Sequence, residues 1–90
     1  MPQQARTELE RLARRWQQLP LDRALARVAD VRELAQRYAR AAGEQRALPA
    51  LGPATVLDQL TVAAYDLAVA DPGAADRLAV DLATLRRRIG

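Results

Sequence analysis

The chain has 90 residues, with 14 Arg and no Lys against 11 Asp and Glu, for a formal net charge of +3. It contains no Cys, His, Ser, Lys, Asn or Phe. Their absence removes the groups on which nucleophilic and general acid–base catalysis lean, and zinc, haem, copper and iron–sulfur ligation in their usual forms. One domain spanning 1–90 is expected, with a net stability on the order of 5–13 kcal/mol. Of the 45 apolar residues, 20 are Ala and 14 are Leu, with Trp16, Tyr38 and Tyr65 the only aromatics. Ala and Leu are strong helix formers and β-branched residues are few, so the composition points to an all-α fold with a core of small volume.

Four helices follow in chain order, divided by Pro and Gly. The first runs from about 2 to 18, with Ala5, Leu9, Leu12, Ala13, Trp16 and Leu19 at amphipathic spacing. Pro20 ends it, because proline lacks the amide donor and restricts the residue before it. The second covers about 21–42, with Leu21, Ala24, Leu25, Val28, Val31, Ala35, Tyr38 and Ala42 as its apolar stripe. Gly43 fits the left-handed position that commonly closes a helix. Residues 43–52 form the linker, whose Leu48 and Leu51 are expected to pack onto the bundle. Pro53 opens the third helix, to about 70, with Val56, Leu57, Leu60, Ala63, Ala64 and Leu67 inward. Asp71-Pro72 pairs a capping acceptor with proline at the first helical position of a fourth helix, about 72–89. Its inward side is Ala75, Leu78, Ala79, Leu82, Leu85 and Ile89. These elements imply a small four-helix bundle built from two antiparallel helical hairpins.

Little in the sequence supports catalysis. The glycines at 43, 52, 73 and 90 are isolated, so no phosphate-binding loop exists. The Glu-x-x-His pattern of carboxylate metal centres in bundles needs a His. A carboxylate pair could act on a glycosidic bond, but an Ala-rich chain of this length offers no evident sugar cleft. The expectation is a protein that is not an enzyme and carries no cofactor or metal. The first turns hold Arg6, Glu8, Glu10 and Arg11 in place of an apolar leader, and no stretch approaches the ~20 apolar residues of a membrane span. With no Cys, the chain suits a reducing, cytoplasmic setting and no membrane role is expected.

Charge is unevenly spread. Residues 1–46 hold ten Arg against six acids, whereas 47–76 hold no Arg and four Asp. Arg11, Arg14, Arg15, Arg37 and Arg40 form a candidate anion-binding face on helices one and two, so nucleic acid is an alternative partner. Against it stand ordinary solvated helix surfaces and the i,i+4 pairs Glu10–Arg14 and Glu33–Arg37; Arg86–Arg88 suit a helix C-terminus. A helix-turn-helix placed around Leu51–Val56 would present Asp58, Gln59, Thr61, Val62 and Asp66, an acidic helix that repels DNA.

The third helix is the anomaly. Opposite its inward face stand Val62, Tyr65 and Val69, flanked by Asp58 and Thr61, where a two-faced helix would be polar. Such a helix is either central in the fold or covered by another chain. The second alternative gives the leading expectation, a helical protein–protein interaction module acting as a homodimer, an adaptor or a small inhibitor of another protein. Its interface would comprise Val62, Tyr65, Val69, Asp58 and Thr61, with Val80 of helix four as a possible extension.

Overall fold

Proline marks the start of three of the four helices in the computed structural model, which describes residues 1–90. Helix α1 spans Gln3–Gln18, α2 Leu21–Ala41, α3 Pro53–Ala70 and α4 Ala75–Ile89, and no strand is present. Pro2 and Pro20 stand just before α1 and α2, and Pro53 is the first residue of α3. Their fixed φ is prepared for helix, and their missing N–H falls where no intrahelical bond is required. Gly43 takes φ +104°. Its N–H bonds Arg40 O at 3.0 Å, and Glu44 N bonds Ala39 O at 2.8 Å, the paired closure that satisfies the last carbonyls of α2. The expected fourth helix begins later than its proline. Pro72–Ala74 is a 3₁₀ turn, and Asp71 caps it by accepting from Gly73 N at 3.1 Å.

Neighbouring residues fix the helix directions. Trp16 Nε1 donates to Pro53 O at 2.9 Å, so the end of α1 meets the start of α3. Leu21 and Ala24 of α2 border the same recess as Pro53 and Leu57, while Ala39 and Ala42 lie by Val62 and Ala63; α2 and α3 therefore run parallel. Tyr38 reaches Asp81, and Asp30 and Leu34 share a cleft with Thr84 and Arg88, so α4 runs against α2. Glu8 faces Arg86 and Arg15 faces Gly90, which makes α1 parallel to α4. The successive pairs α1–α2 and α3–α4 are thus antiparallel hairpins, as the sequence implies. The closest packing, however, is between hairpins, α2 on α3 and α1 on α4. Parallel neighbours need a returning connection, and the linker supplies it. Its Leu48 and Pro49 are held by Arg32 Nη2 on Leu48 O (2.9 Å), Gln36 Oε1 accepting from Leu48 N (2.7 Å), and Gln59 Nε2 on Pro49 O (3.0 Å).

The result is a slab of 35 × 28 × 15 Å. Its 22 buried residues are all apolar or aromatic, and eight are Ala, which lets helix axes approach but supplies little volume. The α2 stripe departs from expectation at its start. Leu21 and Leu25 are exposed, at 67% and 55%, while Leu34 and Ala39 are buried in their place. The reason is the side on which they stand: α2 turns its Ala24–Val31–Leu34–Ala35–Tyr38 side inward, whereas Leu25 lies beside Val28, Ala29 and Arg32 on the uncovered side. In the linker, Leu48 packs against the core as expected, but Leu51 stays 39% exposed.

Like Trp16, Tyr38 carries a polar contact into this apolar slab. The buried Tyr38 hydroxyl donates to Asp81 Oδ2 at 3.1 Å, linking α2 to α4. Burial, then the neighbouring Asp81 charge and the hydrogen bond to it, raise the phenol well above its ordinary range. Folding therefore favours neutral Tyr38. The stabilisation is complete below the unfolded value near about pH 10 and drains away as pH climbs above it towards the folded value. No Lys, Cys or His titrates in that window. Tyr38→Phe is expected to cost about 1 kcal/mol at neutral pH and to flatten the fall in melting temperature between pH 9 and 12. A decline as steep as wild type in the variant would contradict the assignment.

Candidate functional site

Two kinds of residue define the outer surface of α3. Its inward side is closed, with Val56, Leu60, Ala64 and Leu67 fully buried. Its outward side is open, with Val62 61% exposed, Tyr65 40% and Val69 83%. The packing explains this exposure: α3 rests chiefly on α2 and touches the Pro72–Ala74 turn, and neither covers its outward side. Thr61 is half-buried and its hydroxyl donates to Leu57 O at 2.9 Å, so only its methyl group is free for contact. Asp58 is exposed.

Beside this stripe lies a groove of about 730 Å³ between α3, the end of α2 and the linker. Leu48, Leu51 and Val62 contribute apolar wall, and Glu44, Asp58 and Asp66 contribute carboxylates. No basic side chain lines it. Apolar surface beside unopposed negative charge suits a surface that is apolar at its centre and basic at its rim. The groove could not be read from the sequence, because it depends on the linker doubling back along α2. The polar residues Arg32, Gln36 and Gln59 that pin the linker were the available signal. Val80 is exposed at 62%, but it lies on α4, whose close neighbour is α1 and not α3.

The five arginines expected on one face are divided. Arg11, Arg14 and Arg15 line a concavity with Arg86 and Arg87 of α4. Arg37 and Arg40 lie elsewhere, beside Leu25, Val28 and Arg32 on α2. Neither expected i,i+4 ion pair forms. The pairs present are Arg11–Glu8 at 3.1 Å, Arg27–Asp30 at 3.2 Å and Arg86–Glu8 at 3.6 Å between helices. Glu8 can reach both Arg11 and Arg86 because α4 runs beside α1, and no single-helix spacing anticipates that.

No helix is long and apolar enough to cross a membrane. The fold and surface define a class, a small all-α bundle with an uncovered apolar helix face. Compared with protein-family models, curated proteins and solved structures, the chain matches none.

Proposed function

We propose that this chain is a non-catalytic helical protein–protein interaction module whose contact surface is the outer face of α3 and the groove beside it. The supporting observation is the run Val62, Tyr65 and Val69, exposed on a helix whose other side is fully buried. Tyr is enriched at the energetic centres of interfaces, since it buries a large ring at small entropic cost. With Glu44, Asp58 and Asp66 unopposed along the groove, the occupant is a protein segment with apolar anchors and a basic rim. An isologous pairing of two α3 faces would set these carboxylates against their own copies, which is unfavourable. A partner of different sequence, bound by an adaptor or small inhibitor, fits the charge better.

Placing the photo-crosslinking residue p-benzoylphenylalanine at position 65, and separately at exposed Gln4 of α1, tests this in cells that make the protein. A discrete adduct from position 65 alone is expected, with the captured peptide carrying Arg or Lys around apolar residues. Equal labelling from both positions, or none from 65, would overturn the reading.

A further inference from the structure

Because α1 and α4 run in the same direction, their C-terminal turns meet, and five guanidinium groups converge there. Arg11, Arg14, Arg15, Arg86 and Arg87 line a concavity of about 430 Å³ that contains no apolar side chain. Glu8 is the one side-chain carboxylate that answers them, through Arg11 at 3.1 Å and Arg86 at 3.6 Å. Arg15 donates to the Gly90 oxygen, and Arg87 makes only a long bond to Thr84 Oγ1 at 3.4 Å. Arg14 has no carboxylate partner, and Arg86 Nε is already turned to Glu8 Oε2.

Helix dipoles account for part of this cluster. Arg15 lies in the last turn of α1 and Arg86–Arg88 in that of α4, where cations offset the partial charge of free carbonyls. Arg11 and Arg14 lie before the last turn, where the dipole effect has fallen away. Beside five guanidinium groups stand only the Glu8 side chain and the Gly90 oxygen, so positive charge is in excess, and like charges gathered on one surface repel unless an anion shares it.

We propose that this concavity binds the phosphodiester backbone of double-stranded nucleic acid. Guanidinium groups spread over two helices suit a row of phosphates better than one isolated anion. With no apolar side chain in the concavity, nothing would enter a lipid layer. Trp16 and Tyr38 are buried and Tyr65 lies on α3, so no aromatic stands ready to stack unpaired bases, as single-strand binders require. Contact is therefore with backbone and independent of sequence. This site is separate from the α3 face, and neither reading depends on the other.

Fluorescence anisotropy with a short mixed-sequence DNA duplex tests the proposal. Neutralising about four phosphates predicts that affinity falls roughly 150-fold between about 50 and 200 mM salt. Arg14→Glu with Arg87→Glu should weaken binding by at least about 10-fold at the lower salt and make the salt dependence shallower. Arg37→Glu with Arg40→Glu changes net charge equally and should keep the wild-type salt dependence. All four side chains are exposed, and circular dichroism confirms the fold of each variant. The proposal is overturned by no binding at low salt, by equal losses in the two double variants, or by binding to anionic lipid vesicles without binding to the duplex.

Discussion

Trp16→Ala is expected to lower the unfolding free energy by about 3–5 kcal/mol, a large share of what a chain of this length possesses. The indole is buried on α1, and its N–H donates to Pro53 O at the start of α3. Removing it leaves a cavity in a core otherwise rich in Ala, where small side chains cannot reach across to refill the space. It also frees the contact that holds the end of α1 against the first turn of α3. Trp16→Phe keeps most of the ring and loses the donor, so a smaller cost of about 1–2 kcal/mol is expected. Urea unfolding followed by circular dichroism separates the two. Equal and small effects would show that Trp16 is not the keystone of this end of the slab.

The second large effect contrasts the two sides of α3. Leu60 is fully buried, and Leu60→Ala should destabilise by about 2–5 kcal/mol through lost burial and an incompletely collapsed cavity. Tyr65 faces outward on the same helix, 40% exposed, and its hydroxyl makes no hydrogen bond within the chain. Tyr65→Asp should change stability by no more than about 0.5 kcal/mol, because Asp and Tyr have similar helix propensities. Thermal melts of the two variants beside wild type provide the check. A large loss in Tyr65→Asp would mean that the ring serves the fold of the lone chain, and the case for an interface would lapse.

Much of the fold was legible in the sequence because helix boundaries here are chemically explicit. Pro20, Gly43, Pro53 and Asp71-Pro72 each act where local geometry demands them, and apolar spacing identified most of the buried side chains. What could not be read was the arrangement of helices, since periodicity identifies a face without naming its neighbour. Leu21 and Leu25 continue the apolar period of α2, yet they remain exposed while Ala24 between them is buried. The arginines show the same limit. Arg37 and Arg40 match Arg11, Arg14 and Arg15 in type, but the parallel placement of α1 and α4 brings Arg86 and Arg87 to that cluster instead. The α3 face was legible for the opposite reason: an apolar stripe opposite a complete inward face is a conflict within one helix, visible before any neighbour is known.

The central claim is that Val62, Tyr65 and Val69 are exposed for contact with another protein. Gel filtration of fresh extracts from cells producing wild type and Tyr65→Asp, each followed by a small tag, tests it most directly. Wild type is expected to elute in an assembly well above the 9.9 kDa of the chain, and the folded variant at the monomer position. Elution of both as monomers, or of both in the same assembly, would contradict the claim.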